Sequence, residues 1–128
     1  MEDIHIKSSK GDFIQPSVDF VESTGECCIS GESFLEETAR FYTPLVTWIQ
    51  NYFKSGKKIV FTFKLTYFNT STSKWIFKML TEFRQYMDSG CDVVVNWYYH
   101  EEDVDMRDDI MNYMEDTGLP INLVIFEE

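Results

Sequence analysis

The sequence predicts an α/β fold, a mixed β-sheet layered with about three α-helices, and three observations carry that expectation. Apolar and polar residues alternate at period two near the front of the chain, which marks short strands. Behind them, helical spacings of three and four alternate with β-rich runs in a β-α-β-α-β order, and such parallel connections need helical crossovers. Finally, 128 residues with 44% hydrophobic and 16% aromatic content suffice for one core. A single domain over residues 1–128 follows, since no linker, internal repeat or low-complexity stretch divides the chain.

The front section reads as antiparallel strands. Ile4-His5-Ile6-Lys7 alternates and ends at Ser8-Ser9-Lys10-Gly11; Val18 to Val21 and Glu26 to Ser30 follow, joined by Ser23-Thr24-Gly25, whose glycine accepts the positive φ of a hairpin turn. Phe41, Leu45, Trp48, Ile49, Tyr52 and Phe53 then share one helical face, predicting a helix over 36–55 that stops at Ser55-Gly56. Ser33 with Glu36 fits a capping box, and Pro44, which has no N–H, predicts a kink or break at Thr43-Pro44. Next comes the clearest strand, in which Ile59, Phe61, Phe63, Leu65 and Tyr67 alternate with Val60, Thr62, Lys64, Thr66 and Phe68. A second helix carries Ile76, Met79, Leu80, Phe83 and Met87 to Ser89-Gly90. Asp92 to Tyr99 is another strand, Met106, Ile110 and Met114 mark a third, weaker helix, and Ile121 to Phe126 closes the chain as a strand.

Charge and composition exclude several functions. A formal net charge of −11 repels phosphate backbones and anionic headgroups, so neither nucleic acid nor a membrane is an expected partner. The start of the chain lacks a basic and apolar leader and no long apolar run occurs, so a cytoplasmic setting is expected. Cys27, Cys28 and Cys91 lack zinc or disulfide spacing. His5 and His100 stand near opposite ends without partner ligands, and no Gly-x-Ser-x-Gly elbow is present; no metal, cofactor or catalytic residue is expected. The acids from Glu101 to Asp109 lack the spacing of a calcium loop and read as a solvated helix face.

The junction Tyr67-Phe68-Asn69-Thr70-Ser71-Thr72-Ser73-Lys74 is the most informative stretch, because a strand runs into a helix through four hydroxyl side chains. Capping needs only one such side chain. A helix N-terminus favours negative charge, so a phosphorylated hydroxyl there would be stabilised, Lys74 could pair with it, and one surface would change its charge. A phosphorylated small molecule held at the same tip is the alternative, although no glycine-rich phosphate loop accompanies it. Tyr98, in Trp97-Tyr98-Tyr99, could serve as a docking anchor, because parallel strands put their carboxyl ends on one edge of the sheet.

Those residues, with Val95-Asn96-Trp97-Tyr98-Tyr99 and Phe41-Tyr42-Thr43-Pro44-Leu45 in the same order, resemble the SiaC family of bacterial regulatory phosphoproteins over nearly the whole chain. The resemblance implies a STAS-like fold of the anti-sigma-antagonist type and a non-enzymatic switch. It implies phosphorylation of the threonine after asparagine, Thr70, by a partner kinase and its reversal by a phosphatase. Asn69, Ser71, Thr72, Ser73 and Lys74 would complete the switch surface. The unphosphorylated form is expected to bind and stimulate an effector, a diguanylate cyclase in the family's characterised systems, linking it to cyclic di-GMP and biofilm formation. Thr72 replaces the family's usual serine and supplies a second candidate threonine.

Overall fold

Three parallel crossovers organise the molecule. In the computed structural model, which describes residues 1–127, a six-stranded sheet has the order β1-β4-β5-β6-β7-β8. β1 (Ile4–Ile6), β4 (Ser17–Val21) and β5 (Glu26–Ser33) pair antiparallel. From β5 onward, β6 (Ile59–Phe68), β7 (Val93–Tyr99) and β8 (Asn122–Ile125) pair in parallel. The crossovers are α1 (Thr38–Phe53), α2 (Thr70–Asp88) and α3 (Val104–Thr117).

Burial alternates along the strands, and only one face is shut. Val18, Phe20, Ile29, Ile59, Phe61, Phe63, Leu65, Val95 and Trp97 are buried with the apolar faces of α1 and α2, including Leu45, Ile49, Ile76, Leu80 and Phe83. The intervening residues Cys28, Val60, Thr62, Lys64, Asn96 and Tyr98 are half-buried on the other face, where Lys64 Nζ sits 4.8 Å from the Tyr98 ring centroid. At the β4–β5 turn, Gly25 has φ 73, and an added Cβ would collide with the Lys58 carbonyl and the Tyr52 hydroxyl. No other residue type fits that corner.

Four expectations change. A short hairpin of β2 (Ser9–Lys10) and β3 (Ile14–Gln15) forms where the sequence indicates only a turn, and Ile14 bridges to Phe34 at the end of β5. The Ser33–Glu36 capping box is not made. Ser33 ends β5 inside the core, and α1 starts later, behind Glu37, which makes no side-chain cap bond. Nor does Pro44 break α1, which runs unbroken from Thr38 to Phe53. Pro44 and Arg40, whose carbonyl loses its donor, are both exposed, so water can replace the missing bond. Finally, Tyr67 does not continue the buried face of β6. The register slips by one residue after Gly31, pairing Glu32 with Tyr67 and Ser33 with Phe68. A one-residue slip exchanges faces, so Phe68 packs against Trp97 and Tyr113 while Tyr67 is 48% exposed.

Candidate functional site

The site assembles where β5 and β6 end and α2 begins. Asn69 is the N-cap of α2, in an extended conformation with φ −84 and ψ 173, and its Oδ1 accepts from the Thr72 N–H at 3.1 Å. Asparagine suits this position because a short carbonyl side chain can reach the third N–H of the helix. The same residue is tied to β5, donating from its backbone N–H to the Ser33 carbonyl at 3.1 Å and from Nδ2 to the Leu35 carbonyl at 3.2 Å. The tip of α2 is thereby fixed to the end of the neighbouring strand.

Three of the four hydroxyls in the first turn are occupied. Thr72 is 0% exposed and donates from Oγ1 to Asn69 Oδ1 at 2.6 Å. With that proton committed, Thr72 Oγ1 accepts from Ser33 Oγ at 2.9 Å, and Ser33 in turn accepts from the Tyr42 hydroxyl at 2.7 Å. This one-directional chain, Tyr42 to Ser33 to Thr72 to Asn69, crosses from α1 through β5 to α2, and each donor is satisfied. Burial pushes the Tyr42 phenol up to about 12, a shift that the neighbouring hydroxyls of Ser33 and Thr72 oppose. Ser71 donates to Asn69 Oδ1 at 3.2 Å, and Ser73 pairs with the Tyr113 hydroxyl of α3 at 2.5 Å.

Thr70 differs from all of them. It is the first residue of α2, it is exposed, and its hydroxyl makes no hydrogen bond among the described residues. The N–H groups of Thr70 and Ser71 also lack acceptors among the described residues, and no acidic residue occupies this first turn. The turn therefore keeps its positive end uncompensated, with a free nucleophilic hydroxyl on it. Lys74, one turn on, is exposed and forms no ion pair among the described residues.

Around the tip lie two features that the sequence did not announce. Phe13, Phe34 and Tyr67 make an exposed aromatic ridge, with ring centroids 5.8 Å apart for Phe13 and Phe34 and 6.5 Å for Phe34 and Tyr67. Tyr67 also lines a cleft of about 260 Å³ with Thr66, Phe68, Met106, Asp103, Asp105 and Asp109. Partial burial, then the neighbouring Asp105, Asp103 and Asp108, pushes the Asp109 carboxyl above its ordinary value. Tyr98 lies apart from this cluster, on the open sheet face beneath Lys64. His5 pairs with Asp19 at 2.9 Å, and His100 stands against Phe126. Among the described residues, no group of three or more His, Cys, Asp or Glu side chains is arranged to hold a metal ion, and no helix is long and apolar enough to cross a membrane.

Comparison with known proteins agrees with this architecture. A family model described as SiaC family regulatory phosphoprotein matches residues 7–126. An uncharacterized protein of Pseudomonas aeruginosa (strain UCBPP-PA14) is 20% identical over 129 residues, covering 100% of both chains. The crystal structure of apo-SiaC from Pseudomonas aeruginosa is similar with a TM-score of 0.86 at 19% identity, over 97% of this chain and 99% of that one. SiaC in complex with the diguanylate cyclase SiaD, of which it is the activator, is similar with a TM-score of 0.90 at 18% identity, over 97% and 100% of the two chains.

Proposed function

We propose a switch mechanism for this chain, which belongs to the SiaC family of regulatory phosphoproteins. In its bare form the protein docks onto and stimulates an effector of the diguanylate cyclase class, as SiaC does with SiaD. A cognate kinase phosphorylates Thr70 and ends the docking; a phosphatase restores it. The protein itself catalyses nothing and works in the cytoplasm, where such enzymes meet their nucleotide substrates.

One observation carries the choice of residue: Thr70 is the exposed, unbonded hydroxyl of the turn, whereas Thr72 is buried and holds the tip together. A kinase can reach Thr70 without unfolding α2. The phosphate adds about −1.5 to −2 charges at the free N–H groups, so the modified helix stays folded. Docking fails for a different reason. Covering a dianion beside Phe34 and Tyr67 with apolar protein strips its water, a desolvation that disrupts apolar interfaces. The alternative, a phosphorylated metabolite held at the tip, is opposed by Asp103, Asp105 and Asp109, which line the adjoining cleft.

The test uses three forms of the protein with the purified cognate cyclase. Thr70→Ala binds and stimulates cyclic di-GMP synthesis like the unmodified chain and cannot be phosphorylated, whereas Thr70→Asp neither binds nor stimulates. Undiminished stimulation by Thr70→Asp contradicts the mechanism.

A further inference from the structure

We infer that the aromatic ridge of Phe13, Phe34 and Tyr67, with the acidic cleft beside it, is the docking surface, and that its occupant is an amphipathic partner segment with apolar anchors flanked by Lys or Arg. This rests on the effector reading above and adds the surface and the chemistry of what it binds.

Three observations lead there. Phe13, Phe34 and Tyr67 are 42%, 37% and 48% exposed, and they form one connected group at the switch tip rather than isolated surface residues. Its position is built by the fold: the register slip turns Tyr67 outward, while the Ile14–Phe34 bridge holds the β2–β3 hairpin, and with it Phe13, against the end of β5. Charge then selects the occupant. Tyr67 joins the ridge to the cleft containing Asp103, Asp105 and Asp109, none of which is in an ion pair among the described residues, while a second groove that shares Phe13 holds Glu36 beside the paired Glu37 and Arg40. The Asp109 carboxyl is raised first by partial burial and then by the neighbouring Asp105, Asp103 and Asp108, and a cation seated beside Tyr67 offsets that repulsion.

A second copy of the chain is a poor occupant on the same grounds. It would bring another −11 charges and set this acid-flanked face against itself. An anionic surface is excluded equally. A basic amphipathic helix fits, since its apolar side chains cover the rings and its cations meet the carboxylates.

Nuclear magnetic resonance titration of the full, unphosphorylated chain tests this with two amphipathic helical peptides of identical apolar face, one carrying Lys on its polar face and the other Glu. The Lys peptide is expected to shift amide signals of Phe13, Phe34, Tyr67 and the cleft, and the Glu peptide to leave them in place. Phe34→Ser and Tyr67→Ser, both at exposed rings, should each weaken the Lys peptide about tenfold or more, while Met111→Ser, at an exposed residue of α3 outside the ridge, leaves it unchanged. Absence of binding, shifts confined to the open face around Thr62 and Tyr98, equal binding of the Glu peptide, or ridge signals that shift with protein concentration alone each overturn the inference. Thr70→Asp separates it from the switch: loss of peptide binding in Phe34→Ser with retention in Thr70→Asp leaves the surface standing and removes the toggle, and the reverse pattern removes the surface alone.

Discussion

Two helices start at the same edge of the sheet and solve the same electrostatic problem in opposite ways. α3 is capped by Asp103, whose carboxylate accepts from the Met106 N–H at 3.0 Å, and it carries Asp105 in its first turn. Its positive end is permanently answered. α2 is capped by the neutral Asn69 and has no acid in its first turn. Chemical modification can bring charge to that end, and Thr70 presents the exposed hydroxyl there. On the proposed mechanism, the helix tip left neutral beside one already charged is where negative charge is a variable and not a constant of the fold.

The strongest way to break this contrast is to give α2 what α3 already has. Thr70→Asp should reduce effector binding by about a hundredfold or more, the scale of a lost interface hot spot, while adding about 0.3–1 kcal/mol of helix stabilisation. Calorimetry on the cyclase complex and thermal melting of the free protein read the two effects, whose opposite signs separate a switch residue from a structural one. Removing the caps comes next. Asn69→Ala should cost about 2 kcal/mol in urea unfolding, at the high end for a cap because its side chain also ties down β5, against about 1 kcal/mol for Asp103→Ala.

Within the α2 tip, the two threonines should separate as clearly. Thr72→Val breaks the chain from Tyr42 to Asn69 and is expected to cost about 1–3 kcal/mol, whereas Thr70→Val should stay within about 0.5 kcal/mol of the parent. Alkaline titration probes the same network. Tyr42 and Tyr113 are each held at about 12, for both chiefly by burial, and the hydroxyls of Ser33 and Ser73 beside them only soften the shift. Their folded values lie above the ordinary 10.0, so the fold favours the neutral phenols. Stability is then complete below the ordinary value and falls as pH rises from it through about 12. The tyrosinate absorbance of Tyr42 and Tyr113 should appear together with loss of circular dichroism; their ionisation at the ordinary value in a folded protein would refute it.

Much of this arrangement is legible in the residues. The alternation from Ile59 to Leu65 gives β6, and the spacing from Ile76 to Phe83 gives α2, because each pattern matches the face it buries. The distinction between the threonines is also written there: Thr72 stands four residues before Ile76 and seven before Met79, on the buried stripe, while Thr70 stands four before the exposed Lys74. Tyr67 was not legible, since alternation is blind to a one-residue register slip that depends on pairing with β5. Ser33 misleads for a related reason. Its hydroxyl suits a local cap, yet Tyr42 and Thr72 claim it from nine and thirty-nine residues away. The unbroken passage of α1 through Pro44 depends on which side of the helix faces water, and that is settled only by packing.

The central claim is that one hydroxyl in this turn is the toggle. Incubating the folded protein with its cognate kinase and ATP, then locating the phosphate by peptide fragmentation, tests it most directly. The account predicts phosphate on Thr70 alone, with none accepted by Thr70→Ala. Phosphate on Ser71, Thr72 or Ser73 while Thr70 remains bare would contradict it.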